Sequence, residues 1–303
     1  MTAFSQHILE QHQMRKTTKQ KQAFISLMQE HFPEATIQEG AFPKCRNIIV
    51  GDVENAKIVL TAHYDTCSQL PFPNFIAPKN VLLTLLYTLL IIAPLVLVIY
   101  ATNFLVGIYT DNYIVHYAVS LVPYLAFMLI LLAGPPNKHT ANDNTSGVIV
   151  LCELIEQLTV QQKKNVAFVF FDHEETGLLG STLFHKRYKK VMNDKLLINF
   201  DCVSDGDHIL VSASKAARNI YGDLLKKAFL PNDAKSILFT NSERTHYPSD
   251  QIGFKQSVAV ASLKHHRFFG YYMSRIHTSK DTQFDKRNIT LICNSILRLL
   301  KNL

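Results

Sequence analysis

Five places in this 303-residue chain put histidine or carboxylate side chains where an apolar, strand-like run gives way to a loop. They are His63 and Asp65 in TAHYD, Asp143 in ANDNTSG, Glu174 and Glu175 in FFDHEETGLLGS, Asp201 in NFD and His277 in IHTSKDT. Taken singly, each is weak: a histidine at a strand end is usually a hydrogen-bonding residue, and two adjacent glutamates usually decorate a surface. Together they point to one site, because open α/β sheets gather ligands at the carboxyl ends of their strands. Imidazole and carboxylate form a donor set that suits zinc. A hydrolytic site built on two metals also needs a bridging carboxylate and a base that is not itself a ligand, and Glu174 and Glu175 offer carboxylates for such tasks. His63 needs a partner on its second ring nitrogen, and Asp65 is the nearest candidate.

Competing chemistries fail on spacing. HEETG (173–177) is not a paired-histidine zinc motif, because Gly177 stands where the second histidine belongs. There is no G-x-S-x-G elbow for a serine nucleophile, and no phosphate-binding GxxxxGK[ST] loop. The five cysteines are scattered, with no CxxC pair, so they indicate neither a disulfide framework nor a cysteine-based zinc site. The net charge of +7 is spread over patches such as RKTTKQKQ (15–22), KRYKK (186–190) and KHHR (264–267). These lack groove-reading or aromatic partners, so no nucleic-acid partner is expected. Attraction to anionic lipid headgroups is the alternative use of such patches.

The elements that must position these residues alternate between strand and helix. Helical spacing marks 19–32, 144–158, about 178–191, 217–229 and 288–303, with Thr145 or Ser146 available to cap the second of these. Continuous apolar runs at 46–52, 57–65, 165–172, 195–201, 208–212 and 256–263 predict strands buried on both faces. The expected fold class is α/β, a mainly parallel sheet between two helical layers.

Two segments do not fit that sandwich. Residues 81–101 and 113–134 contain no Asp, Glu, Lys or Arg, and at about 1.5 Å per residue each would cross a hydrocarbon core of about 30 Å. Pro94 and Pro123 interrupt them, as membrane helices tolerate. With residues 102–112 as the link, they form an inserted transmembrane hairpin (76–137) in a catalytic domain made of 1–75 and 138–303. The lipid bilayer is therefore an expected partner. Lys79 and Lys138 flank the outer ends while the link carries no Lys or Arg, which places the catalytic domain in the cytoplasm. The N-terminus has no apolar core of the signal-peptide kind. Both junctions of the hairpin fall on the candidate-site edge of the sheet, which suggests a catalytic mouth close to the membrane with PFPNF (71–75) at its rim.

AHYDT, ANDNTSG, FFDHEETGLLGS, NFD and IHTSKDT, in that order, resemble the motifs of the co-catalytic zinc exopeptidases of metallopeptidase family twenty-eight, over roughly 15–70 and 138–303. The resemblance implies a three-layer α/β/α fold and two zinc ions bridged by Asp143. It assigns His63 and Asp201 to one ion, Glu175 and His277 to the other. It makes Glu174 the general base, Asp65 the orienter of His63, and peptides cleaved at their N-terminus the substrates. A glutaminyl-cyclase-like acyltransferase and a non-catalytic receptor are the alternatives on the same fold. Three departures stand out: about eighty residues separate His63 from Asp143, Gln251 replaces a histidine frequent in relatives, and tryptophan is absent. The last argues against the cyclase, whose relatives line their pocket with it.

Overall fold

The computed structural model describes residues 1–41 and 44–303. The chain opens with α1 (Ala3–Gln11) and α2 (Thr18–His31), the second begun by a reciprocal capping box between Thr17 and Gln20. β1 (Thr36–Gly40), β2 (Cys45–Val50) and β3 (Ile58–His63) follow, then the long helices α3 (Val81–Gly107) and α4 (Tyr113–Ala133). A wide turn over Ala141–Ser146 leads into α5 (Gly147–Gln157), the short α6 (Val160–Lys163), β4 (Val166–Phe171), α7 (Leu179–Met192) and β5 (Leu196–Phe200). β6 (His208–Ala213), α8 (Lys215–Ala228), β7 (Ser236–Asn241), β8 (Ser257–His266), β9 (Gly270–Tyr272) and α9 (Lys286–Lys301) complete the chain.

The strands form one sheet in the order β1-β2-β4-β3-β5-β8-β6-β7, with β9 paired to β8. Its centre, β4-β3-β5-β8, is parallel, as the continuous apolar runs imply, whereas β1-β2-β4 and β6-β8 pair antiparallel. Successive side chains of a strand point to opposite faces, and the centre of the sheet uses both. Ile58, Leu60, Phe168, Phe170, Ile198 and Phe200 pack into the core beneath α5 and α9. Val59, Ala167, Val169, Phe171 and Leu197 pack on the other face against Phe184 of α7. The architecture is a mixed α/β sandwich with a central sheet between helices. It points His63, Phe171 and Phe200, the last residues of β3, β4 and β5, toward one edge.

Two local readings need correction. Neither Thr145 nor Ser146 caps α5. Ser146 Oγ donates to Asn142 O at 2.7 Å, and the first amide of the helix, Gly147 N, donates instead to Asn144 Oδ1 at 3.0 Å. The helix expected over 81–101 continues to Gly107, because the polar residues at its end bond back along it: Thr102 Oγ1 to Val98 O at 2.9 Å and Asn103 Nδ2 to Ile99 O at 2.8 Å. Asn103 also donates to Ser120 Oγ at 2.7 Å, tying α3 to α4. These two helices pack on each other and are exposed along their length, with Leu90 67% and Leu97 66% accessible. Each is long and apolar enough to cross a membrane.

The base of the hairpin is welded to the end of β3. Ser68 pairs antiparallel with Pro136, Gln69 N donates to Pro135 O at 2.8 Å and Asn137 N to Cys67 O at 3.2 Å.

Glycine at 147 lets α5 approach the end of β5: a Cβ there would lie 2.3 Å from Phe200 O and 2.5 Å from Asn144 Oδ1. Gly222, inside α8, has nothing within 4 Å among the described residues. Gly147→Ala is therefore expected to cost about 2 kcal/mol through backbone displacement, whereas Gly222→Ala should gain about 0.5–1 kcal/mol from helix propensity. Thermal unfolding in detergent should move the two midpoints in opposite directions.

Candidate metal centre

The site assembles at the carboxyl edge of the parallel strands. His63 ends β3, and Asp65 follows after Tyr64, whose amide continues the ladder to Phe171 O at 2.8 Å. The buried Arg15 fixes this turn from below, its Nε donating to Tyr64 O at 2.5 Å and its amide to Thr66 Oγ1 at 3.0 Å. Asp65 then reaches across to the loop after β4. Its Oδ1 accepts from Glu174 N at 3.0 Å and its Oδ2 from Glu175 N at 3.2 Å, so one carboxylate sets both glutamates. His63 Nδ1 lies 3.1 Å from the main-chain oxygen of Asp65 and 3.7 Å from Oδ1. The closer contact to His63 is thus with the backbone of Asp65.

Asp143 occupies the middle. Its Oδ1 is 3.4 Å from His63 Nε2, and its Oδ2 is 3.1 Å from His277 Nε2. His63 Nε2 also faces Asp201 Oδ1 at 3.5 Å, and His277 Nε2 faces Glu175 Oε2 at 3.2 Å. Glu174 offers an oxygen within 4.8 Å of the ligand atoms of His63 and Asp201. All seven residues singled out by sequence therefore converge. Gln251 lies below them and is occupied structurally, accepting from Asn199 Nδ2 at 3.2 Å and donating to Tyr247 O at 2.7 Å, while Tyr247 OH donates to Asp201 O at 3.0 Å.

Four further residues belong to the site and had no role assigned from sequence. Asp281 receives the amides of Asn142 and Asp143 at 2.9 and 3.0 Å, one on each oxygen, and so holds the Asp143 backbone. It stands inside IHTSKDT, but nothing local in the sequence connects it to residues 139 and 138 positions away. Asp250 is fully buried beside the cluster, and neither carboxylate oxygen has a partner among the described residues. Cys67 sulfur groups with Glu175 and His277, and Cys202 sulfur with Asp143 and Asp201. Their distance from other cysteines had hidden both.

Backbone strain concentrates here too. His173, Cys202 and His277 adopt left-handed φ values of 57°, 55° and 65°. Such conformations cost non-glycine residues about 1–2 kcal/mol and persist where the surroundings over-determine them.

Charge dominates the site. Burial pushes Glu174 well above the usual carboxylate range, with Glu175, Asp250 and Asp201 adding to it and His63 opposing. Burial likewise raises Glu175 against the pull of His277, and raises Asp250 to about 7. Asp143 goes the other way: burial is outweighed by its contacts to His277 and His63, and it falls well below the usual range. Burial also works against charge on His63 and His277, yet the surrounding acidic groups raise both well above 6.5. A nest of this kind calls for positive charge at its centre. The buried Glu175 Oε1 and Asp201 Oδ1 lack hydrogen-bond partners among the described residues, and donors from His, Asp and Glu suit a divalent ion. The residues fit such a metal.

A mixed sheet between helices, with candidate metal ligands gathered at the ends of its parallel strands, is a setting for metal-dependent hydrolysis. The description "Peptidase family M28" matches residues 122–297, more than half of the chain, and the chain belongs to that family. The matched stretch holds Asp143, Glu174, Glu175, Asp201 and His277, while His63 and Asp65 lie before it. The LapA aminopeptidase of Legionella pneumophila is similar in structure, with a TM-score of 0.56 at 12% identity over 99% of this chain and 68% of that one. LapB of the same organism gives 0.51 at 13% identity over 98% and 69%. At these identities the likeness is one of fold alone. No curated protein matches the sequence significantly.

Outer partners that orient a metal site typically cost 10–100-fold in affinity when removed. Asp281→Ala should therefore weaken zinc binding by about that factor, as measured by competition with a chromophoric chelator. Unchanged affinity would mean that Asp143 keeps its place without those two amide bonds.

Proposed function

We propose that the chain is a membrane-anchored aminopeptidase that works with two zinc ions. The observation that carries this reading is the position of Asp143, whose two carboxylate oxygens face different histidines. A carboxylate so placed suits a bridge. In this reading His63 and Asp201 complete one ion's protein ligands, and Glu175 and His277 the other's. When bound, the pair would supply Lewis acidity, acidifying a water and polarising the scissile carbonyl.

The chain's own residues do the rest. Glu174, oriented through the Asp65 clamp on its amide, takes the proton of the attacking water and returns it to the departing amine. Asp65 fixes the tautomer and tilt of His63 through the short turn they share. Cleavage at the peptide's N-terminus follows the likeness to LapA, which is an aminopeptidase.

Catalytic segments 1–75 and 138–303 with the inserted hairpin 76–137 make the enzyme a two-span membrane protein. The lysines flanking the hairpin's outer ends favour a cytoplasmic catalytic domain. Peptides and the bilayer are its partners, and no feature of its basic patches suits nucleic acid.

Glu174→Gln keeps the shape of the side chain and removes the base. It should lower release of amino acids from aminoacyl fluorogenic substrates by about 10²–10⁴-fold, with two zinc ions per chain still found by elemental analysis. Full activity in the variant would exclude Glu174 as the base, and the absence of bound metal in the folded parent protein would exclude the zinc reading.

The anchoring has its own test. All five native cysteines are buried, so Thr110→Cys in the link between α3 and α4 should be the main site of maleimide labelling in unpermeabilised cells. The membrane fraction should resist alkaline extraction. Labelling only after permeabilisation would reverse the orientation.

A further inference from the structure

The cavities that open from the metal centre are walled by the hairpin itself. One, of about 290 Å³, runs beneath Asp65, Glu175 and His277 to Leu131 and Leu132 of α4. The next, of about 330 Å³, shares His277 and Leu131 with it and continues between Phe72 and Phe75 on one side and Tyr87 and Ile91 of α3 on the other. From the candidate ligand His277 the second cavity is mainly apolar and leads along the first turns of α3.

Hydrogen bonds join the hairpin to the loops of the site. Tyr87 OH donates to Pro73 O at 2.7 Å, Ala77 N to Thr84 Oγ1 at 3.1 Å, and Lys16 Nζ to Leu132 O at 2.6 Å. The 27 residues of α3 span about 40 Å at 1.5 Å each, some 10 Å more than the hydrocarbon core requires. The surplus suffices to carry Thr84 and Tyr87, within about the first 9 Å of the helix, beside the catalytic loops, which leaves Ile91 just inside the hydrocarbon. The turn between β8 and β9 reaches the same level. Phe268 and Phe269 there are 69% and 40% exposed, and Arg267 lies 4.5 Å over the Phe268 ring. Phe269 meets Phe75 at 6.3 Å between ring centroids. Exposed aromatics joined to a cation are what the headgroup–acyl boundary accommodates.

We infer that the substrates are peptides carrying an apolar segment resident in the membrane surface, and that the cavity between PFPNF and the foot of α3 and α4 binds that segment while the N-terminus enters the metal centre. The inference rests on the peptidase reading and adds the substrate class. Its occupant is the peptide rather than a lipid chain because the cavity adjoins the hydrolytic site: whatever fills it lies against His277.

The test uses the full chain, zinc-loaded, in phosphatidylcholine nanodiscs. Two peptides share the same N-terminal residues, one followed by a polar tail and the other by an apolar membrane-binding helix. The apolar peptide is expected to be cleaved with kcat/KM at least about tenfold higher. Co-residence in one bilayer alone could raise its rate, so the wall is tested by Phe72→Ser. This change should reduce the apolar-to-polar ratio about tenfold, mainly through KM, while Phe72→Leu should retain it. A photoreactive phenylalanine analogue at position 72 should crosslink to the apolar peptide. Equal kcat/KM for both peptides, a preference that survives Phe72→Ser, or crosslinks to lipid alone would each overturn the inference and leave the peptidase reading standing. No cleavage of either peptide by the zinc-loaded protein would overturn both.

Discussion

Carboxylates buried against one another at the end of a parallel sheet are the constraint around which this protein is organised. Asp65, Asp143, Glu174, Glu175, Asp201 and Asp250 converge on two imidazoles. Removing such charges from water costs several kcal/mol each unless something compensates. Part of the compensation comes from backbone amides, since Asp65 takes two from the loop after β4 and Asp281 two from the turn before α5. The remainder comes from positive charge at the centre, on the histidines or on bound cations, and from the raised proton affinity of Glu174, Glu175 and Asp250. The acidic side chains thus act in two tiers, some aimed at the centre and others, with no direct part in the chemistry, locking the loops that carry the first. Metal binding at this centre would consequently be linked to folding, because loosening either tier leaves buried negative charge with less to balance it.

The centre of the fold was readable because physics leaves a strong mark there. Strands with both faces covered are apolar throughout, and VAFVFF or IVLTA admit few other settings. The peripheral elements carry no such mark. β1 and β7 are half exposed and mix polar with apolar residues, and β9 is only three residues long. Their existence depends on distant partners, which the local pattern does not encode.

A similar division runs through the site. His63, Asp143 and the other candidate ligands, each weak alone, could be singled out as a group because their types form one metal-binding donor set. Asp281 could not, because its task is to receive main-chain amides and any carboxylate in the right place would do. The turn ANDNTS shows the limit most clearly. Its side chains are all short hydrogen-bonding groups, so composition allows several capping schemes. Tertiary contacts choose among them: Asn144 Nδ2 donates to Phe200 O at 2.9 Å, Val203 N donates to Ser146 Oγ at 2.9 Å, and Arg15 Nη1 donates to Thr145 Oγ1 at 3.1 Å.

The insertion point of the hairpin follows from the same topology. In a sheet with parallel centre strands, the loop after β3 emerges on the edge where ligands collect, whereas the connection between α5 and β4 lies at the opposite end. A membrane anchor attached at the far end would leave the site facing water and free to vary in orientation. Attached after His63, and closed by the pairing of Ser68 with Pro136, the hairpin shares its first residues with the loops of the candidate site. Tyr87 and Lys16 then bond across the junction, so the helices are joined directly to the walls beside His277. Helix tilt responds to bilayer thickness. In the membrane-anchored reading, bilayer thickness would bear on the shape of the site as well as on its location, a coupling that a flexible tether would not provide.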